Sequence, residues 1–175
     1  MIRSLAIFLT LTSMSIALAM VATGESARAV QFTDQDGHVR AVPSAKPTLV
    51  IYDDDDGRKT NHPAKDLLGK LNSSLANQAL VDVFPVADLA KWDWWPAKKY
   101  ALTDIQKIAH EKKTTIYLDW KGTVRKAWGL AKGKSNLVLV GTDGKVLFSS
   151  QGECNQAQID QLVGILQKLG WNTKI

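Results

Sequence analysis

Along the chain, short apolar runs bounded by turn residues alternate with stretches of helical period. Leu49-Val50-Ile51-Tyr52, reached through Pro43 to Pro47, has the length of a buried strand. Ahead of it, Gln31-Phe32-Thr33 and His38-Val39-Arg40-Ala41-Val42 flank Asp36-Gly37, a hairpin turn signal. From Ala64 to Ala76 the spacing turns helical, with Leu68, Leu71 and Leu75 on one face. Leu80 to Leu89 reads as a strand. Pro85 inside it cannot donate to a ladder, which predicts an edge position. Thr103 with Gln106 resembles a capping box, opening a helix with Ile105, Ile108 and Ala109 inward. Thr115 to Leu118 reads as a strand and Thr123 to Trp128 as a short helix. Leu137 to Val140 and Val146 to Phe148, joined through Thr142-Asp143-Gly144-Lys145, make the clearest hairpin. The closing helix spans Gln156 to Leu169, its core face formed by Ile159, Leu162, Val163, Leu166 and Leu169. Asn155 and Gln158 supply its cap and N3 partner.

The order hairpin, β, α, β, α, β, short α, hairpin, α predicts an α/β domain. Its central mixed β-sheet is flanked by helices and carries an N-terminal β-hairpin extension. Residues 1–29 read as a leader: Arg3, an uncharged run from Leu5 to Ala22, then the small-x-small pattern Ala27-Arg28-Ala29. Cleavage after Ala29 leaves residues 30–175 as one domain, periplasmic or secreted, without a stable membrane anchor. No cysteine near that site could carry a lipid. The removed segment takes Arg3, Arg28 and Glu25 with it, leaving 20 basic and 16 acidic residues, a net charge of +4. The lysines are interspersed with acids, which speaks against a nucleic-acid partner. With Cys154 as its one cysteine, the chain cannot be a disulfide-stapled scaffold.

Lys46-Pro47-Thr48-Leu49-Val50-Ile51-Tyr52 and the late turn Gly141-Thr142-Asp143-Gly144-Lys145-Val146, in this element order, resemble the thioredoxin-like superfamily over roughly residues 31–170. Asp119-x-x-Gly122, Trp128-Gly129-Leu130, Ser135-Asn136 and the strand that follows are similar to the YtfJ-like periplasmic proteins. That resemblance implies a thioredoxin-like fold without the redox Cys-x-x-Cys. Where redox members carry the nucleophile, this chain has Asp53-Asp54-Asp55-Asp56-Gly57. Where they place a cis-proline before the next strand, it has Ser135-Asn136. Both departures imply no dithiol exchange.

The first and last core strands of such a fold run parallel, so the acidic loop, Ser135-Asn136 and Cys154 are expected at one sheet edge. Cys154 is the candidate thiol. With Asn155 as N-cap it stands at one position of a hydrophobic staple, facing Ile159 at the other, and nearby carboxylates disfavour its thiolate. Asp54, Asp55 and Asp56 with His62 are candidate metal ligands, and His38 is a more distant one. Their spacing fits no EF-hand, and four adjacent aspartates also suit a solvated capping loop. Trp92, Trp94 and Trp95 either form an exposed partner patch or fold back over the sheet edge. Trp120, Trp128 and Trp171 are expected to pack.

The sequence therefore points to an exported binding or accessory module in the cell envelope, with no cofactor. Its partner is another exported protein or a small ligand, met at Trp92, Trp94, Trp95, Ser135 and Asn136. The alternatives are a single-cysteine thiol peroxidase or reductase using Cys154, and a metal-binding protein using the Asp53–Asp56 loop.

Overall fold

A computed structural model describes residues 19–173 of the chain. Most of the expected leader, residues 1–18, lies outside them.

Seven strands form one mixed sheet: β1 (Val30–Asp34), β2 (Val39–Val42), β3 (Thr48–Asp53), β4 (Asp82–Asp88), β5 (Tyr117–Asp119), β6 (Asn136–Val140) and β7 (Val146–Gln151). Their order is β2-β1-β5-β4-β3-β6-β7. β3, β4 and β5 are parallel, and β6 is antiparallel to both β3 and β7. The β1–β2 hairpin extends the sheet by antiparallel pairing with β5. Among the described residues the α-helices are α1 (His62–Asn72), α2 (Leu75–Leu80), α3 (Ala97–Lys112), α4 (Thr123–Trp128) and α5 (Gln156–Lys168).

Strand alternation sends successive residues to opposite faces, and each face builds its own core. Leu49, Leu137 and Leu139 meet Leu68 and Leu71 of α1, Leu162 and Leu166 of α5, and Trp171. Val50, Tyr52, Phe84 and Val138 meet Phe32, Val124 and Trp128 on the other face. Asn155 caps α5 in a reciprocal capping box with Gln158, as its sequence signature predicts.

The structure departs from four sequence expectations. β4 is interior, between β3 and β5, although it contains Pro85. Pairing with β5 begins only at Val86, so the donor that Pro85 lacks falls where β5 offers no acceptor. α3 begins at Ala97, and Thr103 lies inside it with its hydroxyl donating to the Lys99 carbonyl, so it caps nothing. Ile108 is exposed rather than inward. The helical run from Ala64 breaks at Ser73-Ser74 into two helices, which turns Leu75 to solvent at 82% exposure.

Candidate functional site

β3 delivers Asp53 to the sheet edge where the parallel strands end. Each aspartate of the following loop is answered locally. Asp53 pairs with Lys65 of α1 at 2.8 Å, Asp55 with Lys91, and Asp56 with Lys59 at 3.0 Å. Asp54 accepts backbone N–H groups from Asp56, Gly57 and Gly133 at 3.2, 2.8 and 2.6 Å. Burial pushes its carboxyl upward, but these amides and the Lys91 charge outweigh that and hold it below the ordinary carboxylate value. The run is thus neutralised. Asp54 also ties this loop to the loop before β6. The two approach so closely that a Cβ on Gly57 would stand 2.5 Å from the Lys134 carbonyl oxygen.

Ser135 and Asn136 are wholly buried. Asn136 donates to the carbonyls of Ala131 (2.9 Å) and Lys134 (2.8 Å) and accepts from the Ala131 amide (2.9 Å), so its polar groups are used inside its own loop. Neither residue presents a surface. The cis peptide bonds among the described residues are Val42-Pro43 and Trp95-Pro96, so the bond before Asn136 is trans.

Cys154 lies at the same edge as the acidic loop, as the parallel first and last core strands require. Its amide donates to Asn61 Oδ1 at 3.1 Å, and Asn61 directly follows the 3-10 turn Gly57–Lys59 and Thr60. Its Sγ is 3.2 Å from Ser150 Oγ and 3.6 Å from Asn61 Nδ2. At 7% exposure it shares a cluster with Ile159. Asn61 was not foreseen in the sequence. Its left-handed backbone (φ 60°), which Asn tolerates better than most residues, is a property of the fold rather than of any motif.

The tryptophan loop takes the exposed alternative. After β4, a 3-10 turn at Ala90–Trp92 leads to Trp94 and Trp95, which are 58% and 83% exposed. Tyr100, on the first turns of α3, adds a fourth exposed ring beside Trp92. The capping signature at Thr103 carries no hint of Tyr100, because it opens the expected helix three residues after that ring, whereas α3 begins at Ala97. Lys91 sits 5.2 Å over the Trp92 ring while paired with Asp55, coupling this loop to the acidic one. Lys98 bonds Asp93 at 2.6 Å and lies 4.8 Å over Trp120. Trp128 and Trp171 are buried, as expected.

α3 stands off the sheet, with only Ala97 and Ala109 fully buried. Beneath it runs a groove of about 400 Å³ walled by Ile51, Pro85, Leu89, Ile105 and Ile116. A second groove, of about 570 Å³, opens beside it against Trp92, Trp94 and Tyr100 and shares Leu89, Ile105 and Arg58 with the first. Asp53 lines the inner groove and leaves Oδ1 buried without a hydrogen-bond partner. The space is concave and apolar, with charged groups at its mouth, as small-ligand and anchor-residue sites are.

Below this edge, Tyr52 donates its hydroxyl to Asp119 Oδ2 at 2.9 Å. Burial, then the negative charge of Asp119 and Asp88, raises the Tyr52 pKa far above its ordinary value, so the phenol stays a donor. Asp119 accepts the amides of Thr123 and Val124 at the start of α4, and Arg125 pairs with Asp88 at 2.8 Å. This network fixes the start of α4.

Among the described residues, Asp54, Asp55, Asp56, His62 and Cys154 do not bring three ligand atoms within 4.8 Å of one another. Asp34, Asp36 and His38 do. Asp34 is already occupied by the amides of Asp36 and His38 and by the His38 ring.

This architecture is a thioredoxin-like fold, and comparison with solved structures shows it directly. The thioredoxin domain of a thiol-disulfide oxidoreductase from Bacteroides vulgatus matches with TM-score 0.56 and 17% identity, over 83% of this chain and 99% of that one. A protein described as a thiol:disulfide interchange protein DsbE from Chlorobium tepidum matches with TM-score 0.58 and 18% identity, over 83% and 99%. A thiol peroxidase from Chromobacterium violaceum matches with TM-score 0.56 and 13% identity, over 86% and 91%. Over part of its length the chain also resembles the YtfJ-like proteins. The family described as "Bacterial protein of unknown function (YtfJ_HI0045)" matches residues 99–169, from α3 through α5. No curated protein matches the sequence. No helix of the described residues is long and apolar enough to cross a membrane.

Proposed function

We propose that this protein is an exported thioredoxin-fold binding module that works without dithiol chemistry and engages another exported protein through its tryptophan surface. The observation that carries the reading is the aromatic cluster Trp92, Trp94, Trp95 and Tyr100 on the rim of an apolar groove. Exposed large aromatics cost solvation and supply most of the energy where interfaces form. The groove beneath α3 offers room for an apolar anchor from the partner, and the unpaired Asp53 Oδ1 offers an acceptor for a donor on that anchor. The position of the redox nucleophile is filled by an acidic loop whose charges are satisfied internally. Cys154 has no second cysteine to resolve a mixed disulfide.

The test is co-purification from the cell envelope with a tagged protein, comparing Trp94→Ala and Trp95→Ala with Cys154→Ser. The reading expects partner recovery to fall at least tenfold in the tryptophan variants, about 1.4 kcal/mol or more of binding, and to persist in Cys154→Ser. Recovery lost only in Cys154→Ser would favour thiol chemistry instead.

A further inference from the structure

We infer that the leader is cut after Ala19, and that residues 20–29 remain as a strap around which the fold closes. This rests on the reading that the chain is exported. Ala17-Leu18-Ala19 carries the small-x-small pattern as fully as Ala27-Arg28-Ala29 does. The uncharged segment before it, Leu5 to Ile16, falls within the usual length of a signal-peptide apolar region, whereas Leu5 to Ala22 exceeds it.

The structure separates the two sites. Between Val21 and Arg28 the chain is hydrogen-bonded into the domain along its length. The Val21 amide donates to the Trp128 carbonyl at 2.9 Å, and the Gly24 amide to Val146 at 2.8 Å. The Val146 amide donates to Glu25 at 2.8 Å, and the Ala27 amide to Gly144 at 2.9 Å. Ser26 bridges Lys145 antiparallel, adding a short ladder outside the β6–β7 hairpin. The indole Nε1 of Trp128, a residue 1% exposed, donates to the Arg28 carbonyl at 2.7 Å. Ala27 is itself buried, and Met20 and Val21 pack against the core that holds Phe32 and Trp128.

A cut after Ala29 would strip these contacts from a core tryptophan. It would also place a new ammonium group on Val30, a buried residue paired with Val42, where charge is poorly solvated. A cut after Ala19 places that charge on half-buried Met20, next to exposed Ala19. In the reaction, signal peptidase adds water across the Ala19–Met20 amide. The C–N bond breaks, the acyl carbon becomes the Ala19 carboxylate, and the nitrogen takes up protons as the Met20 ammonium.

The test is intact mass of the protein recovered from the envelope fraction after expression of the full precursor in a bacterial host with a working export pathway. The expected mass is that of residues 20–175. Ala19→Leu should abolish that species, whereas Ala29→Leu should leave it, changed only by the substituted side chain. A mass of residues 30–175 overturns the inference while leaving the export reading standing. An uncut chain beginning at Met1 and held in the cytoplasmic fraction overturns both.

Discussion

Gly57→Ala tests the close approach of the two loops at the candidate site. The added Cβ would lie 2.5 Å from the Lys134 oxygen, 2.6 Å from its carbonyl carbon and 2.9 Å from the Ser135 nitrogen. All three are backbone atoms, so no side chain can swing away. Relief requires the 53–60 and 131–135 loops to part by several tenths of an ångström. That strains the Gly57 amide bond to Asp54 (2.8 Å) and the Gly133 amide bond to the same carboxylate (2.6 Å). Overpacking of this kind costs about 1–3 kcal/mol, and three backbone contacts under 3.0 Å place the change near the upper end. For a domain of this size each kcal/mol moves Tm by roughly 2–4 °C, so a drop of about 6–12 °C is expected by differential scanning calorimetry. Gly69→Ala in α1 and Gly164→Ala in α5 are the controls. Each meets open space and removes a helix-interior glycine, for a gain of about 0.5–1 kcal/mol. A neutral or stabilising Gly57→Ala would refute the close approach of the two loops.

Asp54→Asn should cost about 1–2 kcal/mol at pH 7, because a neutral acceptor replaces a carboxylate bonded to three amides. The folded Asp54 pKa lies below its unfolded value of 3.8. Its contribution is therefore complete above pH 3.8 and is lost as pH falls through the lower folded value. The variant should show a shallower acid limb in urea titrations, and an unchanged limb would count against the bonding described. Trp128→Phe removes the indole bond to Arg28 and part of a core ring, and should lower the unfolding free energy by about 1–3 kcal/mol, read as a lower urea midpoint with m unchanged. Cys154 should alkylate about tenfold or more slowly than a free peptide thiol at pH 7 and match it in denaturing urea, because it is buried against Asn61 and Ser150. A rate equal to the peptide's in the native protein would show the thiol to be open.

Much of the fold was legible because local and tertiary preferences agree. The Leu137–Phe148 hairpin, the α5 capping box and the apolar run at Leu49–Tyr52 each name one element. What failed did so where a tertiary choice overruled a local rule. Pro85 sits inside the sheet because β5 is short, which nothing in the sequence of β4 reveals. Thr103 looks like a cap because Ser/Thr hydroxyls bond backbone carbonyls within helices as well as amides at their ends. At the site, the sequence located the acidic loop, the tryptophans and Cys154, and topology gathered the loop and the thiol at one edge. It did not reveal that Lys65, Lys91 and Lys59 neutralise the aspartates, since two of these partners come from other elements. It did not reveal the groove either, because the stand-off of α3 is set by tertiary packing: only Ala97 and Ala109 of the helix are buried.

The most direct measurement of the central claim is photo-crosslinking in living cells, with a photoreactive residue placed at Trp95 and, as a control, at Gln167 on the exposed face of α5. Partner binding through the tryptophan surface predicts discrete heavier adducts from position 95 that persist in Cys154→Ser, are lost on adding Trp94→Ala, and are absent from position 167. Adducts of equal yield from both positions, or adducts from 95 that vanish with Cys154→Ser, would contradict it.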